Sequence, residues 1–91
     1  MRSIHNGLRI RVVEVLDFKQ QQMITYSYTV FRGTARIRWY DPQPHPENPA
    51  LAPTFPHHFH EEPDIKHNRQ AAFGISFEDV NLPQVIIDCA Q

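Results

Sequence analysis

Seven of the eight prolines in this 91-residue chain lie between positions 42 and 63, and that clustering limits what the chain can build. Proline fixes φ and has no N–H to donate, so it breaks helix interiors and is kept out of the middle of a sheet. The stretch "DPQPHPENPALAPTFPHHFHEEP" therefore reads as an extended crossing loop, not as a long helix or a central strand. Regular structure has to come from the residues on either side. With 41% hydrophobic residues, they suffice for a single domain, 1–91, with one modest core, and a homodimer would bury more surface.

Before the proline stretch, apolar residues alternate with period two. "LRIRVVEVLDF" has Leu8, Ile10, Val12, Leu16 and Phe18 at even positions, interrupted by Glu14. "ITYSYTVF" has Ile24, Tyr26, Tyr28 and Val30, and "TARIRWY" has Ala35, Ile37 and Trp39. Three strands follow, joined as an antiparallel meander over residues 8–41 with 23–31 in the middle. A two-residue turn at Arg32-Gly33 would pair Val30 with Ala35, Tyr28 with Ile37 and Tyr26 with Trp39. A three-residue turn at 20–22 would pair Leu16 with Tyr26 and Val12 with Val30. Both registers gather the large apolar groups on one face, and Glu14 on that face is expected to be a hydrogen-bonded structural acid.

The opposite face then carries Arg9, Arg11, Arg36 and Arg38, interleaved with Ser27 and Thr29 and ending at Tyr40. Residues 1–38 hold seven Lys or Arg against two acids, whereas 41–91 hold two against eight. The basic half is the sheet half. Its arginine row is a candidate nucleic-acid surface that would track phosphates, or else a solvated sheet face.

Past residue 63, "AFGISFEDV" fits a short fourth strand or an extended arm, and "NLPQVIIDCAQ" fits a C-terminal helix with Asn81 as N-cap and Pro83 in the first turn. Leu82, Val85, Ile86 and Cys89 would form its buried stripe. Cys89 is the single cysteine, which excludes an internal disulfide and a Cys-rich zinc site. No apolar run approaches the roughly 20 residues of a membrane span, and "MRSIHNGLRI" lacks a signal-peptide core. A cytoplasmic protein with no membrane partner is expected. The expected fold is α+β: a small twisted antiparallel sheet over 8–41, a Pro/His-rich loop over 42–70, then the arm and helix over 71–91.

Titratable groups concentrate in "PHHFHEEPDIKHNR". Imidazoles titrate near neutral pH and ligate metals, so this segment can serve proton transfer, metal binding or phosphate binding, or can simply pack the loop across the sheet.

The order of "YSY", "RWYD", "FPHHFH", "PDIKHNR", "ISF" and "NLPQVI" resembles the TumE-like toxin family of toxin–antitoxin systems, over residues 8–91. Where relatives often carry Lys between the second and third histidines, this chain has Phe59. The resemblance implies a small cytoplasmic toxin encoded beside a helix-turn-helix antitoxin, its cognate partner.

RNA is the target that the residues suggest for such a toxin. Metal-independent endoribonuclease chemistry needs a base for the 2′-hydroxyl, an acid for the leaving 5′-oxygen and a cation for the phosphorane charge. His57, His58, His60 and His67 are candidate acid/base groups, Lys66 and Arg69 candidate charge stabilisers, and Asp64 could orient an imidazole. No cofactor is then required. A second reading is a Zn²⁺ or Ni²⁺ site built on His58 and His60, with His57, His67, Glu61, Glu62 or Asp64 nearby. A third is a binding module, for nucleic acid or a protein partner, that performs no chemistry.

Overall fold

The alternating segments pair into one antiparallel sheet whose six strands lie in chain order. The computed structural model describes residues 2–3, 7–78 and 80–89. Strand β1 is Arg2–Ser3, β2 Leu8–Asp17, β3 Gln22–Arg32, β4 Ala35–Asp41, β5 His58–Glu61 and β6 Arg69–Ala71. A 3-10 helix, Pro49–Thr54, lies in the long loop, and the chain closes with helix α1, Leu82–Cys89. The class is α+β, as the period-two pattern and the terminal helix require.

The registers differ from those expected. The β2–β3 loop has four residues, 18–21, so Ile10 faces Val30, Val12 faces Tyr28 and Glu14 faces Tyr26. That is a shift of two residues from the expected pairing, which keeps the side chains as far as Val15 and Thr25 on their expected faces. A bulge there sets Leu16 opposite Met23, so Met23 packs against the core and Ile24, expected on that face, is exposed. The β3–β4 turn is Gly33-Thr34, with Arg32 opposite Ala35 and Gly33 at φ 63°, a conformation that costs glycine little. Beyond it a β-bulge intervenes: Phe31 faces Arg36 but Val30 faces Arg38, leaving Ile37 unpaired. This one extra residue reverses the faces of the rest of β4. Trp39 moves off the core face, and Arg38 and Tyr40 move onto it.

The proline stretch also holds a surprise. Strand β5 pairs with β4 on one side and β6 on the other, so a central strand does form inside the segment expected to be loop throughout. The reason is local: "HFHE" is four residues free of proline, bounded by Pro56 and Pro63. Three ladder residues follow at Arg69–Ala71, and "AFGISF" is left as an extended arm without strand pairing. Gly74 at φ 81° turns that arm so that Ile75 enters the core while Phe73 stays exposed.

The core lies between the sheet and α1. Leu8, Ile10, Tyr26, Tyr28, Val30 and Tyr40 pack with Ala72, Ile75 and Val85, and Leu82 and Cys89 border them. Burial pushes the Cys89 thiol pKa up, consistent with an inert core thiol. Polar groups buried here are paired, as they must be. Tyr28 Oη–H donates to Glu14 and accepts from Asn81 Nδ2 at 3.1 Å. Asn81 also holds the arm by accepting from Ser76 N–H and donating to Ser76 O. The carbonyl of Asn81 accepts the first helical bond, from Val85 N–H, but its side chain serves the core, not the cap. The expected helix extends to residues 90 and 91, which lie outside the described residues. Among the described residues no helix is long and apolar enough to cross a membrane.

Candidate functional site

Because side chains alternate along each strand and align across strands, the register specifies which groups meet on the face away from α1. Arg11 faces Thr29, Thr29 faces Trp39, Trp39 faces His60 and His60 faces Arg69. One transverse row thus runs across five strands. On the next row Asp41 faces His58, which faces Ala71. The bulge at Ile37 makes this possible, since without it Trp39 and Asp41 would point toward the helix.

Asp41, His58 and His60 meet at a buried point. Their residues are 8%, 1% and 3% exposed. The two Nε2 atoms are 3.1 Å apart. The Asp41 carboxylate turns one oxygen to each ring, Oδ1 at 3.3 Å from His58 Nε2 and Oδ2 at 3.2 Å from His60 Nε2. Each ring's other nitrogen is engaged with a backbone carbonyl: His58 Nδ1 with Pro56 O at 3.1 Å, His60 Nδ1 with Lys66 O at 3.2 Å. A carbonyl only accepts, so each Nδ1 carries the hydrogen and donates it. The neutral rings therefore turn bare Nε2 lone pairs toward each other and toward a carboxylate. Three acceptors in van der Waals contact require a positive charge among them, either a shared proton or a metal ion.

Burial alone would raise the Asp41 pKa, but the bond with His60, the hydrogen bond from Gln43 N–H (2.8 Å) and the proximity of His58 outweigh it and hold the carboxyl below its ordinary value. The carboxylate is anionic at neutral pH. Burial lowers the His58 pKa.

The centre has an approach. Strand β3 runs on past the end of β4, and in that notch lies a groove of about 380 Å³ bordered by Thr25, Ser27, Trp39, Asp41, Gln43 and Phe77. The indole of Trp39 stacks on His60 (4.4 Å between centroids, 17°), with the Arg36 guanidinium 5.6 Å from its ring. On the other flank the proline-rich loop sets His45 edge-on against His58 at 5.0 Å. Arg69, at the end of the row, has its Nε–H buried with no hydrogen-bond partner among the described residues.

The family model described as Toxin TumE matches residues 2–91. The chain belongs to the TumE toxin family. It is thus the toxin of a toxin–antitoxin pair, and membership implies a cognate antitoxin. No curated protein and no solved structure gives a significant match.

Within this TumE toxin, the residues singled out from the sequence separate. Only His58 and His60 of the four candidate imidazoles come together, with Arg69 beside His60 in the row. His57 lies on the helix side, its Nδ1 hydrogen-bonded to Tyr26 Oη at 2.6 Å and its ring against Phe77. His67 and Asp64 form an exposed pair (3.1 Å) on the β5–β6 turn. Lys66 is exposed, and its contribution to the centre is its backbone carbonyl. Of the expected arginine row, Arg9, Arg11 and Arg36 share the outer face and are exposed. Arg38 and Tyr40 do not. Arg38 bonds Glu61 and Tyr40 Oη, each at 3.2 Å, and Tyr40 is fully buried and donates to Asp88 at 2.9 Å. Phe59, where relatives often carry lysine, packs on Tyr40 and under Arg38, partly buried at the border of the core. Asp41 is the residue that sequence reasoning missed. The signal available was the His-x-His spacing, which on a strand puts both rings on one face, but the carboxylate opposite depends on the bulge.

Proposed function

We propose that the toxin acts in the cytoplasm on RNA, as an endoribonuclease whose centre is Asp41, His58 and His60. The carrying observation is the continuous outer-face row Arg11, Thr29, Trp39, His60, Arg69, with the Asp41–His58 pair on the next row. Arginines along a sheet face suit a phosphodiester backbone, to which most nucleic-acid hydrogen bonds are made. Arg69 Nε–H, which has no hydrogen-bond partner among the described residues, is a donor suited to a phosphate oxygen. Two imidazoles against a carboxylate can hold and move a proton beside the groove. Arg9, Arg11 and Arg36 would track the strand, and the antitoxin, expected to be a helix-turn-helix protein, would neutralise the toxin by covering this face.

The arginine contribution is measurable. Arg11→Gln/Arg36→Gln replaces two exposed residues, so the fold should hold within about 0.5 kcal/mol per site. Single-stranded RNA binding, titrated against salt, should weaken, and its log–log slope should flatten by about 1.4, since each lost phosphate contact removes roughly 0.7. Unchanged slope and affinity would reduce the row to a solvated face. Normal RNA action with escape from the antitoxin would assign the row to the protein partner instead.

A further inference from the structure

We infer that Asp41, His58 and His60 bind one divalent first-row transition-metal ion such as Zn²⁺. As a statement about catalysis this rests on the RNA reading above; as a statement about binding it does not. Three observations carry it. The first is spacing: the two Nε2 atoms are 3.1 Å apart and the carboxylate turns a separate oxygen to each, Oδ2 at 3.2 Å from His60 and Oδ1 at 3.3 Å from His58. These contacts are close to the roughly 3.3 Å that separates neighbouring ligand atoms on a tetrahedral ion with bonds of about 2.05 Å. One ligand atom from each residue can be chosen with all three within 4.8 Å of one another. A single proton can bridge one of these contacts well and leaves another as acceptor against acceptor, whereas a metal ion satisfies all three.

The second is the surrounding shell. Metal-bound histidines characteristically donate their other N–H to a carbonyl or carboxylate, which fixes tautomer and ring orientation. Both rings here do so, to Pro56 O and Lys66 O, and the carboxylate is held in turn by Gln43 N–H. All three prospective ligands are thus oriented in advance by main-chain groups. The third is access: the rings are sealed from solvent, but Asp41 borders the open groove. Three protein ligands leave a coordination position for water or a phosphate oxygen, the composition of hydrolytic rather than structural zinc centres. Two histidines and one carboxylate also fit non-haem Fe²⁺ ligation, so an anaerobic titration with Fe²⁺ against Zn²⁺ would rank the two ions.

The untagged full chain, stripped with chelator and dialysed, would be titrated with ZnCl₂ and CoCl₂. One equivalent should bind, Co²⁺ should give visible ligand-field bands, and the melting temperature should rise with ion and fall back with chelator. Asp41→Asn should weaken Zn²⁺ binding by more than about 100-fold, beyond the 10–100-fold typical of an outer-shell partner, while His67→Ala binds normally. Nitrogen-15 spectra of the wild type need no variant: Zn²⁺ should move the Nε2 signals of His58 and His60 and leave those of His57 and His67. A folded wild type that retains no stoichiometric ion, or Zn²⁺ that shifts only other histidines, overturns the inference. RNA cleavage by ion-free toxin would refute a catalytic role for the metal and leave the RNA reading standing. Ion-loaded toxin inert toward RNA would do the reverse.

Discussion

A bacterial host induced to express the toxin with Asp41→Asn or His60→Gln should keep growing where the wild-type chain arrests it, whereas His57→Ala and His67→Ala should still arrest. The division follows from geometry. Asp41 and His60 belong to the buried centre on the outer face, 3.2 Å apart. His57 sits on the helix side against Tyr26, and His67 is paired with Asp64 in solvent. Loss of the His57–Tyr26 bond should lower stability by about 1 kcal/mol, too little to remove a protein of ordinary stability from the folded pool. Asparagine keeps an oxygen to accept from Gln43 N–H, so Asp41→Asn should accumulate as soluble protein. Growth curves with matched soluble levels make the comparison. Arrest by the Asp41 and His60 variants, with relief by His57→Ala instead, would move the working site to the helix side.

Tyr40→Ala should unfold much of the population near physiological temperature. Tyr40 is fully buried, edge-on to Tyr28 at 6.5 Å and tilted on Phe59 at 5.3 Å, with its hydroxyl between Arg38 and Asp88. Truncating a buried aromatic to alanine costs about 3–5 kcal/mol, out of a typical total of about 5–15. At roughly 4–8 °C per kcal/mol for a domain of this size, thermal melts should fall by the order of 20 °C. Tyr40→Phe keeps the ring and loses the hydroxyl, so about 0.5–1.5 kcal/mol should separate it from wild type. A normal melt for Tyr40→Ala together with lost RNA binding would return Tyr40 to the surface role that uninterrupted alternation implies.

That contrast marks where the fold was legible. Alternation identified the faces correctly over Leu8–Ile10 and Tyr26–Val30, where one side is buried, and a slip of two residues at the Phe18 loop does not change which side a residue takes there. Nearer that loop a bulge puts Met23 rather than Ile24 against the core, and Val12, Leu16, Phe18 and Ile24 are exposed. In β4 the same reasoning failed beyond Ile37. Nothing in "TARIRWY" marks an extra residue, and Ala35, Ile37 and Trp39 alternate as neatly with a bulge as without one. Since the bulge decides the sides of Arg38, Trp39, Tyr40 and Asp41, it decides half the site. The imidazoles stood out by composition, but sorting His57 from His58 and His60 needed β5, which proline density concealed. Its four residues pair only because neighbouring strands on both sides complete their hydrogen bonds, a tertiary condition that local composition does not carry.

The most direct test of the account is cleavage of single-stranded RNA by purified toxin, compared with Asp41→Asn at equal concentration and with matching thermal melts. The wild type should cut, and Asp41→Asn should be slower by at least about 100-fold, the scale of losing a proton-transfer or charge-positioning group. Equal rates from the two folded proteins, or no cleavage by wild-type toxin that arrests growth, would contradict an RNA-cleaving centre at Asp41, His58 and His60.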